Sequence, residues 1–384
     1  MRVLIVCNNA FTRGNGLYTA LQSLLGNLRS EGLDVRLLAA ENEDVYGPQP
    51  DYPLKHFRFP VFENLIESNG FRFAAIDTEM LDKAVMWADI IHVQEAFPLE
   101  SKVIGIAERQ GKPCVATYHL FAQNVVANAI HGESDNPVNH VLDWWWKEYV
   151  FNRCSFIHCP TETVRRHLES QGYDAGLEVF SNGIALGSLP LADKRDPQCD
   201  GTVRLLCIGR LSYEKSQSTL LEAMRYSRHS DSIQLVFAGK GPMEEDYRRM
   251  AADLVNEGVL SHMPTFGFYD KESLNRLIHS SYLYIHCAWA EVEGLSCLES
   301  IKEGLVPVIA EGPLTATSQF ALDGRSVFPA QDARTLAQKI DWWIEHPDEH
   351  DVMSLAYAAS AEKYDIRKST SAMIGMYRKA LAAS

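Results

Sequence analysis

The chain has 384 residues, of which 46% are hydrophobic, and it carries a formal net charge of -14 at pH 7. This length exceeds what one ordinary core supports, so two domains are expected. The charge argues against nucleic acid as a partner and gives no long-range attraction to anionic lipid, and no apolar run approaches the roughly 20 residues of a membrane span. The first predicted element, at residues 3–7, is a buried strand that is too short for a signal peptide.

Short apolar runs alternate with helical patterns through the first half of the chain. Apolar residues at helical spacing predict a helix over 17–28, and a second helical pattern covers 138–151. Strands are predicted at residues 3–7, 35–39, 90–93, 114–118, 156–159 and 177–180. This βαβ rhythm indicates a parallel sheet with helices on both faces, in which ligands bind at the carboxyl ends of the strands.

Polar residues follow several of these strands. The loop at 8–16 contains Gly14 and Gly16 and enters a helix, but it lacks the GxGxxG spacing of a dinucleotide fingerprint, which disfavours a redox enzyme. Gln94-Glu95 follows the strand at 90–93, and His119 follows the strand at 114–118. A polar ring at a strand end is more readily placed in a crevice than in a core, so His119 is a candidate site residue.

Three consecutive tryptophans, Trp144, Trp145 and Trp146, lie in the helical pattern at 138–151. They point three ways around a helix, so only part of the cluster can be core. The remainder could line an acceptor groove or touch a membrane interface, and packing beneath a neighbouring loop is the alternative.

The eight cysteines are scattered along the chain, and three lie in strand patterns: Cys7, Cys207 and Cys287. This distribution predicts buried free thiols in a reducing, cytoplasmic location. Cys154, Cys159 and His158 superficially resemble metal ligands, but no second pair completes a zinc site, so core packing is the preferred interpretation.

A second unit is predicted after Asn182-Gly183, where prolines and a charged run at 193–196 are typical of an inter-domain linker. Its strands are predicted at 203–208, 233–238 and 283–286, a helix stop and a further strand are predicted within 304–310, and the tail from residue 332 is helical. The first strand ends at Gly209-Arg210 and leads through Lys215 into a helix. Two cations at such a strand end form a compact clamp for a diphosphate, and solvated surface charge is the alternative.

The stretch from Glu291 to Glu299 connects a strand to a helix and has Gly294 near its centre. A glycine admits close approach of a ligand, and the first N–H groups of the helix form an anion site. The acids flanking such a site suit hydroxyl groups rather than phosphate, so the stretch suggests a nucleotide sugar, with Glu299 able to take a ribose diol. A capped helix with solvated acids is the alternative.

Glycine turns also follow two other strand patterns, at Gly241 in residues 239–242 and at Gly267. Backbone groups at such turns suit the recognition of a flat base.

These motifs together resemble the GT-B retaining glycosyltransferases of family four. The carboxy-terminal half of that family is matched by Gly209-Arg210 with Lys215, Gly239-Lys-Gly-Pro242, and Glu291 with Glu299 before Gly304-Leu-Val-Pro-Val. The amino-terminal half is matched by Thr117-Tyr118-His119 and Asn182-Gly183. The resemblance implies two Rossmann-like domains facing across a cleft: an acceptor domain at 1–185 and a donor domain at 186–365, with a last helix near 366–384 crossing back.

The resemblance also assigns roles. Arg210 and Lys215 would neutralise the donor diphosphate, Glu299 would bind ribose and Glu291 would hold a sugar hydroxyl. The other donor contacts would come from Gly209, Gly241, Gly267, Gly294, Leu295 and Ser296.

On the acceptor side, the resemblance places His119 against the sugar from across the cleft, and Gly14 and Gly16 near the diphosphate and acceptor. No Asp-x-Asp motif occurs, so a metal-independent site without a cofactor is expected. Glu293 departs from the family pattern, in which an apolar or small residue precedes the glycine, and this puts the donor sugar in question.

The implied activity is metal-independent transfer of a hexose, with retention, from a nucleotide sugar, preferably a UDP-sugar, to a hydroxyl acceptor. A lipid or lipid-linked acceptor is weakly favoured over a soluble glycan, with possible peripheral contact at the inner face of the membrane. Two alternatives stay open: a nucleotide-sugar-binding partner subunit without transferase activity, and a UDP-sugar epimerase of GT-B fold.

Overall fold

The computed structural model describes residues 1–12, 14, 16–58, 72–130, 136–187 and 201–384. These residues divide into two compact units. The first unit comprises Met1–Gly183 and Ile366–Ser384, and the second comprises Ile184–Asp365. The expected boundary after residue 185 lies two residues from this division, and the charged run at 193–196 lies outside the described residues.

The first unit is built on a parallel sheet of seven strands. They are β1 (Arg2–Val6), β2 (Asp34–Ala40), β3 (Tyr52–Leu54), β6 (Ile90–Val93), β7 (Cys114–Thr117), β8 (Phe156–Cys159) and β9 (Gly176–Val179). Their order is β3-β2-β1-β6-β7-β8-β9, and β4 (His56–Phe57) pairs separately with β5 (Phe73–Ala74). Its central strands are buried on both faces, as a parallel sheet covered by helices requires.

Seven described helices belong to this unit. They are α1 (Gly16–Ser30), α2 (Thr78–Trp87), α3 (Pro98–Arg109), α4 (Ala122–Ile130), α5 (Pro137–Tyr149), α6 (Glu162–Ser170) and α13 (Ile366–Ala383). Helix α1 buries Leu17, Leu21, Leu25 and Leu28, which share one face at helical spacing. Helix α13 contributes Met373 and Tyr377 to the same core.

A buried line of hydrogen bonds ties α13 to the middle of this sheet. The Tyr377 hydroxyl lies 2.7 Å from His92 Nδ1, and His92 Nε2 lies 2.8 Å from Thr117 Oγ1. Thr117 Oγ1 is also 3.1 Å from His158 Nδ1, and His158 Nε2 donates to the Phe180 carbonyl at 2.6 Å. Burial lowers the pKa of His158 to about 4, so its ring is neutral and Nδ1 accepts from Thr117. The line therefore fixes the ends of β7 and β8.

The second unit contains a six-stranded parallel sheet and a two-stranded one. The strands of the larger sheet are β10 (Val203–Ile208), β11 (Ile233–Ala238), β12 (Thr265–Gly267), β13 (Leu283–His286), β15 (Val306–Glu311) and β17 (Val327–Pro329). Their order is β12-β11-β10-β13-β15-β17, which makes β10 central. The smaller sheet pairs β14 (Ala290–Glu291) with β16 (Leu314–Thr315) in parallel.

The six described helices of the second unit follow its strands. They are α7 (Gln217–Ala223), α8 (Glu244–Asn256), α9 (Lys271–His279), α10 (Leu295–Lys302), α11 (Ala333–Glu345) and α12 (Pro347–Ser360). Short 3₁₀ turns at Tyr213–Lys215 and Ala316–Phe320 bring further side chains to the carboxyl edge of the sheet.

The cysteine and tryptophan expectations can be compared with this fold. The seven described cysteines are free and buried, and His158 bonds to Thr117 and Phe180. Trp146 is buried whereas Trp144 is 54% exposed, so only part of the tryptophan cluster is core, as predicted. Within the described ranges, no helix combines the length and apolar character that crossing a bilayer needs.

Candidate functional site

An ion pair joins two of the predicted site residues at the carboxyl edge of the second sheet. Lys215 lies in the 3₁₀ turn after β10, and its Nζ donates to Oε2 of Glu291, the last residue of β14. Both side chains are largely buried, with 20% and 15% exposed. Burial alone would raise the pKa of Glu291, but Lys215 and His286 outweigh it and hold that pKa below its ordinary value. The carboxylate is therefore charged at neutral pH.

The second predicted cation, Arg210, is also held by a carboxylate. Its Nη2 donates to Oε1 of Glu214 at 2.9 Å, and the Ser212 hydroxyl donates to the same oxygen at 2.7 Å. Glu214 is fully buried, and the Gln217 amide donates to the Arg210 carbonyl at 2.8 Å. This loop is therefore built around a buried acid, which sequence reasoning did not identify as a partner of Arg210.

The glycine turns pack against one another, which gives Gly241 a structural requirement besides the predicted contact with a base. A Cβ on Gly241 would lie 2.2 Å from the Leu211 carbonyl oxygen, and one on Gly239 would lie 1.9 Å from that of Gly209. The Leu211 amide donates to the Lys240 carbonyl at 3.0 Å, so the loops after β10 and β11 are joined backbone to backbone. These two glycines are required by the neighbouring loop, whatever they contact in a ligand.

Two further predicted glycines stand at the same edge. Gly209 has a φ of 150°, a conformation that favours glycine, and a Cβ there would meet no atom within 4 Å. The Gly267 carbonyl accepts from the Gly239 amide at 2.8 Å, and a Cβ on Gly267 would lie 2.9 Å from the Tyr269 ring. The side-chain position of Gly209 therefore faces open space, whereas that of Gly267 is packed against Tyr269.

Gly294 forms the turn into α10. Its φ of 85° is one that side chains rarely adopt, and a Cβ would lie 2.4 Å from Thr317 Oγ1. The glycine is therefore required by the turn and by Thr317, before any ligand is considered. By helix geometry, the N–H groups of Leu295 and Ser296 have no partner inside α10 and form the start of an anion site.

Two side chains of α10, Ser296 and Glu299, differ in whether they are available to bind a ligand. The Ser296 hydroxyl lies 2.9 Å from the Tyr284 hydroxyl and 3.4 Å from the Ile208 carbonyl, so it faces the sheet. Glu299 is half-buried, and within the described part of the chain its carboxylate has no hydrogen-bond partner. Burial raises the pKa of Glu299, offset in part by Lys302 and Lys271.

His286 is a member of this cluster that sequence reasoning missed. It ends β13 and its Nε2 lies 3.5 Å from Glu291 Oε2, the oxygen that Lys215 also contacts. The available signal was a histidine at the carboxyl end of an apolar strand, five residues before Glu291.

Glu293, which departs from the family pattern, is buried with 3% of its surface exposed. Its charge acts on Tyr364, whose pKa is raised chiefly by burial and secondarily by Glu293. The residue is therefore set into the protein next to Tyr364, in contrast to the partly exposed Glu291 and Glu299.

In the first unit, His119 lies at the end of β7 as predicted. Its Nε2 is 3.0 Å from Gln94 Oε1, and burial lowers its pKa to about 3, so the ring is neutral. With Nε2–H donating to Gln94, Nδ1 remains an acceptor. The Gln94 amide nitrogen is buried and has no partner among the described residues.

Two buried acids lie near the same sheet edge: Glu95, which the sequence places after a strand, and Glu100, which was not singled out. Glu95 accepts from the Asn8 amide at 2.6 Å, and Glu100 accepts twice from the Asn8 side chain at 2.8 and 2.9 Å. Burial raises the pKa of both carboxyl groups, and Glu95 raises that of Glu100 further.

The remaining predicted residues of the first unit are Gly14 and Gly16. Gly14 is exposed with a φ of 88°, which favours glycine, and Gly16 opens α1 with no atom within 4 Å of a Cβ. The residues on either side of Gly14 lie outside the described ranges. Across the parts of the chain that are described, no group of three or more His, Cys, Asp or Glu side chains could hold a metal ion.

Two families match consecutive parts of the chain. Residues 14–187 match the family described as Glycosyltransferase Family 4, and residues 193–359 match Glycosyl transferases group 1. Among curated proteins, the chain is 24% identical over 329 residues to the alpha-monoglucosyldiacylglycerol synthase of Streptococcus pneumoniae, covering 81% of this chain and 71% of the relative. It is 25% identical over 388 residues to the phosphatidyl-myo-inositol mannosyltransferase of Mycobacterium leprae, covering 95% and 93%.

Solved structures of similar fold cover the whole chain. Sucrose-phosphate synthase from Thermosynechococcus elongatus superposes with a TM-score of 0.73 at 17% identity, covering 100% of both chains. Anabaena Alr3699/HepE, solved in complex with UDP and glucose, superposes with a TM-score of 0.72 at 13% identity, covering 99% of this chain and 100% of the other. At these identities the likeness concerns the fold.

Proposed function

The chain belongs to the family 4 glycosyltransferases of GT-B fold, and from this premise we propose that it transfers a hexose from a UDP-sugar to a hydroxyl group with retention at the anomeric carbon. The observation that carries the proposal is the cluster at the carboxyl edge of the second sheet. There Lys215 and Glu291 meet next to the start of α10, and Arg210 lies on the same loop as Lys215. Cations, helix amides and acids in one place suit a diphosphate joined to hydroxyl-bearing groups.

In this proposal the donor is bound by groups that the fold brings to one edge of the second sheet. Arg210 and Lys215 neutralise the diphosphate together with the N–H groups of Leu295 and Ser296. Glu299, whose carboxylate oxygens are available, accepts from the ribose hydroxyls, and Glu291 accepts from a hexose hydroxyl. Charge neutralisation by protein cations is the reason that we propose transfer without a metal or another cofactor.

The transfer step breaks one bond and forms one at the same face of the sugar. The bond between the anomeric carbon and the β-phosphate oxygen breaks, and a bond from that carbon to the acceptor oxygen forms. The departing phosphate oxygen takes the proton of the acceptor hydroxyl, so no protein nucleophile is required. Arg210 and Lys215 stabilise the charge that develops on the phosphate in the transition state.

We propose a lipid hydroxyl as the acceptor and peripheral contact with the inner face of a membrane. The two curated relatives are a synthase of a glucosyldiacylglycerol and a mannosyltransferase named for phosphatidyl-myo-inositol. Exposed apolar side chains on α5 also support contact with lipid. Helix α5 departs from an ordinary surface helix, because Asn139 and Asp143 are buried beside Trp146 while several apolar side chains are exposed. These exposed side chains are Val138, Val141, Trp144 and Tyr149.

The donor is tested by thermal unfolding against UDP-glucose, UDP-galactose, UDP-N-acetylglucosamine and GDP-mannose, each in EDTA and in magnesium. A ligand at about 100 times its dissociation constant should add about 2.7 kcal/mol to the free energy of unfolding. Stabilisation by one UDP-sugar in EDTA is the expected result. Turnover of that donor with a diacylglycerol acceptor then establishes transfer. Binding of the donor without transfer to any acceptor would favour the partner-subunit alternative. Conversion of the donor to an isomer would favour the epimerase alternative.

Contact with lipid is tested by flotation with neutral phosphatidylcholine vesicles. Val141→Ser with Trp144→Ser should reduce the floated fraction, because aromatic and apolar groups carry the contact. Val352→Ser with Leu355→Ser is the matched control, since these residues of α12 are equally exposed. Equal loss in both double variants, or wild-type protein that stays unbound, would contradict membrane contact through α5.

A further inference from the structure

His286 has both ring nitrogens engaged by groups of the candidate donor site. Nδ1 lies 3.0 Å from the Tyr284 hydroxyl, and Nε2 lies 3.2 Å from Thr317 Oγ1. Nε2 is also 3.5 Å from Oε2 of Glu291, the same oxygen to which Lys215 donates. The Glu291 carboxylate therefore faces one permanent cation and one group that can either donate or accept.

The ring carries a single proton at neutral pH. Its pKa is lowered to about 4, chiefly by burial, while Glu291 acts in the opposite direction and Lys215 in the same one. With the proton on Nε2, the ring donates to Thr317 Oγ1 at 3.2 Å, and the same N–H lies near the Glu291 carboxylate, whose Oε2 is 3.5 Å from Nε2. With the proton on Nδ1, the Nε2 lone pair faces the carboxylate and only Thr317 can donate to it.

The surrounding hydroxyl groups can serve either form of the ring. The Tyr284 hydroxyl can donate to Nδ1 or accept from it, and the Ser296 hydroxyl 2.9 Å away takes the complementary role. The direction of this line can therefore reverse by moving protons alone. Thr317 lies close against Gly294, since a Cβ there would be 2.4 Å from Thr317 Oγ1.

Donor binding changes the groups that compensate the negative charge of Glu291. A diphosphate attracts Lys215 and so weakens the ion pair that compensates a largely buried carboxylate. We propose that His286 is a positioning residue for Glu291: its Nε2–H holds the carboxylate oxygen in place when Lys215 turns to the diphosphate. This inference rests on the proposed function, because it requires a bound nucleotide diphosphate.

Two substitutions separate this role from simple core packing. His286→Gln can place an amide N–H near the position of Nε2, whereas the shorter His286→Asn cannot. Losing a hydrogen bond to a charged group should lower kcat about 10- to 100-fold in His286→Asn, whereas His286→Gln should stay within about threefold of wild type. The KM for the donor should change by less than about threefold in both, since Arg210 and Glu299 are untouched.

His350→Asn is the matched control for burial. This histidine is also buried in the second unit, and its Nε2 lies 2.9 Å from the Tyr282 carbonyl next to β13. We expect it to lower Tm without lowering kcat. Full kcat in His286→Asn, or equal loss of kcat in His286→Asn and His350→Asn, would overturn the positioning role.

Nitrogen-15 NMR of histidine-labelled protein gives a second readout that does not depend on turnover. Saturating UDP should populate the form of His286 with its proton on Nε2. If UDP binds and the proton is on Nδ1, or if UDP does not bind, the inference fails. Wild-type protein that binds UDP in the expected form but transfers no sugar would refute the proposed function and leave the role of His286 supported.

Discussion

Replacing Lys215 with methionine isolates the energetics of the buried ion pair. The change removes the cation but keeps an unbranched side chain of nearly the same length. It leaves His286 and the Val292 backbone amide as the groups that still lower the pKa of Glu291. Removing one partner of a buried pair costs about 3–5 kcal/mol. Because 15% of the Glu291 side chain still contacts solvent, we expect about 2–3 kcal/mol here.

The cost should depend on pH in a defined direction. In the wild type the folded pKa of Glu291 is lowered, so its contribution is present above the unfolded pKa and is lost as pH falls through the folded value. In Lys215→Met burial is no longer outweighed and the folded pKa lies above the unfolded one. The penalty should therefore be complete at about pH 7.5 and smaller near pH 4, where the carboxyl group of the variant is protonated but the wild-type ion pair still contributes.

Thermal unfolding at these two pH values measures the effect. For a unit of this size, about 2–3 kcal/mol corresponds to a fall in Tm of about 4–12 °C at the higher pH. Lys215→Met with Glu291→Gln should recover most of it, because no buried charge remains. An equal fall in Tm at both pH values, or no recovery in the double variant, would refute the reasoning. Lys215→Met should also lose most turnover, because in the proposed function Lys215 binds the donor diphosphate.

Three further substitutions test other parts of the site. Gly241→Ala should lower the free energy of unfolding by about 1–3 kcal/mol or more, since its Cβ would lie 2.2 Å from the Leu211 carbonyl. Gly26→Ala, in the open face of α1, should raise it by about 0.5–1 kcal/mol. Urea unfolding compares the two variants, and equal effects would contradict the packing role of Gly241. Glu299→Gln should weaken UDP binding about 10- to 100-fold, measured by calorimetry, because the hydrogen bonds from the ribose to a carboxylate are lost. Tm should not fall, because a buried charge is removed. An unchanged dissociation constant would exclude the ribose role. Glu293→Phe should lower Tm and leave the preference among donor sugars unchanged, because Glu293 is buried next to Tyr364. An altered preference for the donor sugar at unchanged Tm would show instead that this residue reaches the donor.

The long elements of both sheets could be predicted because each strand is a nearly continuous apolar run. The strands at 90–93, 156–159, 203–208, 233–238 and 283–286 have the predicted limits. The two-residue strands Ala290–Glu291 and Leu314–Thr315 could not be found, since so short a segment has no periodicity and exists through its pairing. They matter here because they carry Glu291 to the sheet edge.

The contacts between site residues were the part that the sequence could not supply. Lys215 and Glu291 are 76 positions apart, and a pattern of residue types does not show which acid faces which cation. Glu214 follows Arg210 by four positions in a loop, where helical spacing rules do not apply. For Gly241 and Gly294 the sequence indicated the requirement for glycine, but not that protein atoms impose it.

The placement of α13 has a consequence for the order in which the units form during synthesis. Unit two, Ile184–Asp365, is continuous in the chain, whereas unit one needs α13, which is translated after unit two is complete. Met373, Met376 and Tyr377 fill its core, and Tyr377 closes the line through His92. The earlier-made segment therefore keeps an incomplete core until α13 has been synthesised, and during that interval its apolar surface depends on protection from aggregation.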